Sequence, residues 1–183
     1  MKSEFNNPDL EILFTAKQIS ERIAEIGEEI TRDFVGKDLI LIGVLKGASV
    51  FTADLMRQIV LPLSLEFMAI SSYGKAFRSS GEVKIVKDLD VSVEGKHLIV
   101  IEDIVDTGLT LSYLLENLES RGAASVKLAA LLDKPDARKR KVKIDYSGFK
   151  VPNEFLVGYG LDAAERYRNL PFVAVLKEVT SYE

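Results

Sequence analysis

The residues best suited to chemistry fall in one stretch, Val100-Ile101-Glu102-Asp103-Ile104-Val105-Asp106-Thr107-Gly108-Leu109-Thr110. An apolar β-branched run ends in two adjacent carboxylates, crosses a short turn and enters a helix through Asp-Thr-Gly-x-Thr. In an open α/β sheet, ligands bind beyond the carboxyl ends of the strands. Backbone amides at a helix start present donors and a partial positive charge suited to a phosphate. Thr107 and Thr110 add hydroxyl donors, and Gly108 allows close backbone approach. Glu102 and Asp103 have the oxygen chemistry to hold sugar hydroxyls or the water shell of a divalent cation. Read alone, Asp-Thr-Gly also fits an ordinary strand–helix turn with Asp106 or Thr107 as N-cap. The acid pair directly upstream favours a ligand.

Composition narrows the chemistry further. With no cysteine and the single histidine His97, zinc ribbons, iron–sulfur clusters, thiol nucleophiles and histidine triads are excluded. An oxygen-ligated metal is still allowed by the 28 acidic residues. These outnumber 24 basic ones, and a net charge of −4 argues against broad electrostatic attraction to nucleic acid, which is not expected as a partner. The N-terminal residues, Met1 to Pro8, contain no apolar core of signal-peptide length, and runs such as Leu39–Leu45 are too short to span a bilayer. A cytoplasmic protein without membrane association is the expectation. A chain of 183 residues buries roughly 70% of its unfolded surface as one domain, without disulfides.

These residues need a scaffold, and the hydropathy pattern supplies one. Ile19, Ile23, Ile26, Ile30 and Phe34 recur at helical spacing, with capping-box residues Thr15 and Gln18 ahead of them and Gly36 behind. This predicts a helix over 15–35. Apolar runs at 38–45, 63–70, 97–101 and 126–132 predict buried strands, separated by helices at 49–59 and 109–121. Residues 71–81 read as a polar loop leading to a half-exposed strand at 82–85. The alternation implies an α/β fold with a mainly parallel sheet covered by helices on both faces.

The segment Val-Ile-Glu-Asp-Ile-Val-Asp-Thr-Gly-Leu-Thr-Leu resembles the phosphoribosyl-pyrophosphate (PRPP) signature of type I phosphoribosyltransferases, in the form found in the hypoxanthine-guanine phosphoribosyltransferases. The likeness runs from about Glu11 to Glu178. It implies the type I phosphoribosyltransferase fold: a core over about 16–145 and a small hood, from about 8–15 and 146–183, over the base. It also implies Mg-dependent transfer of phosphoribose from PRPP to hypoxanthine or guanine, with xanthine open, in purine salvage.

By this resemblance Glu102 and Asp103 hold ribose hydroxyls and support the magnesium, and Asp106, Thr107, Gly108, Leu109 and Thr110 wrap the 5′-phosphate. Asp106 stands beside N7 of the purine as the catalytic acid or base. Leu45-Lys46-Gly47 matches the pyrophosphate loop, where the Leu–Lys peptide can be cis; alone it is a strand–helix turn without Walker A spacing. Ser72, Tyr73 and Gly74 match the start of a lid that excludes water, though alone they fit a hairpin connection. Lys134 corresponds to the lysine that reads the 6-oxo group; otherwise it opens the solvated basic run that continues through Arg138-Lys139-Arg140-Lys141.

Within the matching Phe155–Asp162 segment, Phe155 stacks on the base and Leu156 offers backbone groups to its edge. Asp162 reaches the magnesium-bound pyrophosphate, and Arg168 grips pyrophosphate oxygens. Alone, Phe155 reads as core and Arg168 as a surface charge. The resemblance also implies a homodimer or homotetramer. Two alternatives stay open: a phosphoribosyltransferase for another base, and a PRPP- or nucleotide-sensing RNA-binding regulator on the same fold, which the basic run would suit.

Overall fold

The computed structural model describes residues 7–72 and 83–177. Tyr73 and Gly74, expected in a lid, lie outside the described residues; Ser72 ends a strand. Helix α1, Ala16–Asp33, begins with the capping box: Thr15 Oγ accepts from Gln18 N at 3.3 Å, and Gln18 Oε1 accepts from Thr15 N at 3.0 Å. Its stripe of Ile19, Ile23, Ile26 and Ile30 is buried. Helix α2, Ser49–Met56, stops earlier than expected. Its last turn tightens as Gln58 N–H donates to Leu55 C=O at 2.9 Å, and Ile59 turns into the core. Helix α3 spans Leu109–Ser120.

The central sheet comprises β2 (Leu39–Leu45), β3 (Ser64–Ser72), β4 (Val83–Lys87), β5 (His97–Val105), β6 (Ser125–Asp133) and β7 (Tyr146–Lys150). Their order is β4-β3-β2-β5-β6-β7, parallel except for the antiparallel β3–β4 pair. Two expectations need correction here. Strand β3 runs past residue 70, because Ser71 and Ser72 pair with Lys84 and Val83. Residues 146–150 do not belong to the hood: β7 pairs with β6 from Ala129↔Tyr146 to Asp133↔Lys150 and so covers the sheet edge that β6 would otherwise expose. A separate antiparallel sheet, β1-β9-β8, is built from β1 (Leu10–Phe14), β8 (Leu156–Val157) and β9 (Val173–Leu176).

Side-chain alternation explains the layers. Leu39, Leu41, Ile99 and Ile101 pack with α1 and α2 in one buried cluster. Ile40, Ile42, Leu98 and Val100 face Leu111, Leu114 and Leu118 of α3 in another. With both faces covered, β2 is apolar throughout and β5 is apolar from Leu98 to Ile101 before its two acids.

Candidate active site

Strands β2, β5 and β6 are parallel neighbours, so their carboxyl ends, Leu45, Val105 and Asp133, open on one edge of the sheet. The loops that follow each of them gather there. Glu102 and Asp103 lie inside β5 rather than beyond its end at 101, because β5 keeps pairing with β6 as far as Val105↔Asp133. Pairing passes from Glu102↔Ala130 to Ile104↔Leu132. At Asp103 the side chain intervenes, its Oδ1 accepting the Ile104 N–H at 2.8 Å.

The Asp103 carboxylate lies against Gly47, in the turn from β2 to α2. A Cβ at position 47 would overlap it, falling 2.6 Å from Asp103 Cγ, so only glycine admits this approach. A Cβ at Gly160 would in turn overlap the Gly47 carbonyl, falling 3.1 Å from its carbon. Three segments far apart in sequence therefore close on one point. The Leu45–Lys46 peptide leading into it is cis.

Burial pushes the Asp103 carboxyl up to about 6; the Ile104 N–H and then the Arg168 guanidinium pull it down, while Asp162 pushes it up. Burial, with Asp103 adding repulsion, raises Glu102 well above the usual carboxylate range. Two desolvated neighbouring carboxyl groups suit a hard cation, whose charge would relieve both. Among the described residues, no three acidic or histidine side chains cluster as a metal cage.

The turn after β5 bends through Gly108, at φ +78°, into α3. Neither Asp106 nor Thr107 caps the helix: the N-cap is Gly108, with no side-chain cap bond. Thr107 Oγ1 accepts the Leu109 N–H only at a long 3.5 Å, so the start of α3 is weakly held and can turn its amides to a stronger acceptor. Asp106 and Leu109 are exposed, Thr107 and Thr110 half-buried. From beneath, the loop after β6 holds this turn. Lys139 N and Arg140 N donate to Thr107 O at 2.9 and 3.0 Å, Lys134 N donates to Val105 O at 3.0 Å, and Arg138 links Val105 O at 3.3 Å to the Asp133 carboxylate.

Lys134 is buried, and its Nζ donates to Glu154 O at 2.6 Å, immediately before Phe155. Phe155 is 45% exposed, whereas Leu156 is buried in β8. Asp162 accepts from Arg168 Nη2 at 2.7 Å and from Glu165 N at 2.9 Å. Arg168 Nη1 also donates to Gly160 O at 2.8 Å. Glu165 was not among the residues singled out from sequence, yet it joins Lys46 Nζ at 3.0 Å and Arg168 Nη2 at 3.2 Å. Lys46, followed by Arg168, holds its carboxyl below the usual range. Arg138, which sequence alone left in a solvated basic run, is the other residue missed. Nothing local marks either one.

Residues 9–164 match the phosphoribosyl transferase domain family. The chain belongs to the phosphoribosyltransferase family. Among curated phosphoribosyltransferases it is 53% identical, over 91% of its length and 92% of the relative's, to the hypoxanthine-guanine phosphoribosyltransferase of Bacillus subtilis. It is also 51% identical to the bifunctional protein TilS/HprT of Listeria monocytogenes, aligned over 94% of this chain but spanning only about a quarter (26%) of that longer protein. A hypoxanthine phosphoribosyltransferase from Staphylococcus aureus superposes with a TM-score of 0.92 at 44% identity, covering 97% of each chain. A hypoxanthine-guanine phosphoribosyltransferase from Bacillus anthracis, crystallised with HEPES in its active site, gives 0.86 at 45% identity, covering 90% of this chain and 97% of its own. The α/β fold with its mostly parallel sheet is thus that of the phosphoribosyltransferases. Among the described residues of this one, no helix is long and apolar enough to cross a membrane.

Proposed function

We propose that this chain transfers the 5-phosphoribosyl group from PRPP to hypoxanthine or guanine, releasing pyrophosphate and forming the purine nucleoside 5′-monophosphate with inversion at the anomeric carbon. The observation that carries this reading is the meeting of the Asp103 carboxylate with the Lys46-Gly47 turn and the Gly160–Arg168 segment, beside an α3 N-terminus whose N-cap is Gly108. Relatives alike in sequence and fold support the same reaction.

The loop from Asp106 to Thr110 takes the 5′-phosphate, through the α3 amides and the Thr107 and Thr110 hydroxyls. Glu102 and Asp103 face the ribose hydroxyls. Lys46, Gly47 and Arg168 take the pyrophosphate. Glu102 and Asp103 would support magnesium from the ribose side and Asp162 separately from the pyrophosphate side; when bound, the ion would neutralise charge on the departing pyrophosphate. The Lys134 ammonium reads the 6-oxo group, Phe155 stacks on the ring, and Leu156 presents its backbone to the base edge. The small β1-β9-β8 sheet is the hood over that base. Asp106 manages the N7 proton as positive charge grows across the sugar and purine. The resemblance assigns Ser72, Tyr73 and Gly74 the task of keeping water from the sugar cation. Catalysis then rests on charge neutralisation, alignment and water exclusion, with no covalent intermediate. The setting is purine salvage in the cytoplasm, by a homodimer or homotetramer.

The test is turnover with PRPP, magnesium and each of hypoxanthine, guanine, xanthine, adenine and uracil. Product from hypoxanthine or guanine, absent with adenine and uracil, is expected. Asp106→Asn should keep PRPP binding while kcat falls about 10²–10⁴-fold, the span of general acid–base catalysis. Wild-type turnover by that variant would remove Asp106 from the chemistry.

A further inference from the structure

The two cations assigned above to pyrophosphate already share one carboxylate. Glu165 Oε1 lies 3.0 Å from Lys46 Nζ, and Oε2 lies 3.2 Å from Arg168 Nη2. Lys46 and Glu165 are 119 positions apart, so this bridge is a product of the fold. The turn carrying Glu165 is tightly built. Ala163 and Arg166 exchange backbone hydrogen bonds of 3.1 and 3.0 Å, and Glu165 N donates to Asp162 Oδ2 at 2.9 Å. Ala164 and Glu165 adopt φ +49° and +64°, a left-handed region non-glycine residues enter uncommonly. Asp162 Oδ1 accepts from the same Nη2 at 2.7 Å, and the Gly160 carbonyl accepts from Nη1 at 2.8 Å. Arg168 stays fixed if Glu165 leaves, whereas Lys46 has no other ion-pair partner among the described residues.

We propose that Glu165 is a built-in counter-anion of the pyrophosphate site, occupying Lys46 and Arg168 until the diphosphate of PRPP displaces it. The inference rests on the assignment of those two cations to pyrophosphate in the proposed function. The side chains of Glu165 and Lys46 are 64% and 69% exposed, so their bond is of the weak, solvent-screened kind. A diphosphate with several charges and many acceptor oxygens replaces it, while a singly charged anion gains little by doing so. Glu165 therefore serves as a specificity residue that favours polyanionic occupants of the two cations and lowers affinity for all of them. A nucleoside 5′-monophosphate, which has no pyrophosphate, does not meet it.

Calorimetric binding of magnesium pyrophosphate and of a purine nucleoside 5′-monophosphate to wild type, Glu165→Gln and Lys46→Met tests this. Both substituted side chains are largely exposed, and matched melting curves check that the variants fold. Glu165→Gln should bind pyrophosphate about three- to tenfold more tightly, the scale of one or two exposed ion pairs, with monophosphate affinity unchanged within about twofold. Unchanged or weaker pyrophosphate binding by Glu165→Gln, with Lys46→Met weakened, would overturn the counter-anion while leaving the site assignment standing. Wild-type pyrophosphate affinity in Lys46→Met would overturn the assignment of Lys46 to pyrophosphate, and the inference with it.

Discussion

Replacing Gly47 by alanine probes the closest approach in the site with a single methyl group. Gly47 is not among the positive-φ glycines, so alanine adopts its backbone without strain. The added Cβ would fall 2.6 Å from Asp103 Cγ and 3.3 Å from Oδ1, and would overlap Oδ2. Carbon atoms rest about 3.5–4.0 Å apart, so the carboxylate must retreat by about 1 Å. That motion pulls Oδ1 off the Ile104 N–H, now at 2.8 Å, and a hydrogen bond to a charged group contributes about 1.5–3 kcal/mol. A 1 Å misplacement of a positioning group can cost about 10²-fold, or about 2.7 kcal/mol, so the two routes to the magnitude agree. We expect kcat/KM for PRPP to fall about 10²-fold in Gly47→Ala, measured by nucleotide formation at fixed magnesium. The control is a double-mutant cycle. In an Asp103→Ala background the methyl group has nothing to displace, and adding Gly47→Ala should then change activity less than about threefold. Wild-type activity in the single variant, or the full loss persisting without Asp103, would refute the coupling.

Lys134→Ala removes an ammonium held on Glu154 O and should lower kcat/KM for 6-oxopurines by about 10–150-fold, corresponding to one charged hydrogen bond, with a far smaller change in the KM for PRPP; equal loss on both substrates would deny it a role at the base. Thr15→Ala breaks the α1 capping box and should lower stability by about 1 kcal/mol in urea unfolding without changing kcat. The Asp33 carboxyl is held below its ordinary value chiefly by the Tyr146 hydroxyl and, against desolvation, by Lys127. A depressed folded pKa adds stability above the unfolded pKa of about 3.9, which is lost as pH falls through the lower folded value. Wild type should therefore exceed Asp33→Asn in stability at pH 7, with the gap closing on acidification below about pH 4; a gap that widened there would contradict the assignment.

Much of the scaffold was legible because its signals are local. Helix α1 carries period and cap within twenty residues, and the buried runs of β2, β5 and β6 bracket the helices they need. The Glu102–Thr110 stretch was readable for the same reason: strand, acids, turn and helix start are contiguous. Strand β7 was not, since Tyr-Ser-Gly-Phe-Lys has no continuous apolar run and becomes a strand only because β6 offers an unpaired edge. The end of α2 was misjudged because the burial of Ile59, not helix propensity, sets where the chain turns. Arg138 and Glu165 look like ordinary surface charges until their partners, Val105 and Asp133 for one, Lys46 and Arg168 for the other, are brought to them.

Residue order by itself determined the alternation of strands and helices, the lack of any cysteine thiol, and the presence of an acid pair before a phosphate-type turn. These depend on side-chain type and on spacings of two to four residues. Tertiary structure decided that Asp103 rests on Gly47, that Gly160 closes over that turn, and that one carboxylate bridges Lys46 and Arg168. It also decided that Asp103 titrates near 6, because desolvation belongs to the assembled edge of the sheet and to no segment alone. The bridge from Lys46 to Glu165 joins segments 119 positions apart, and only the folded chain brings them together.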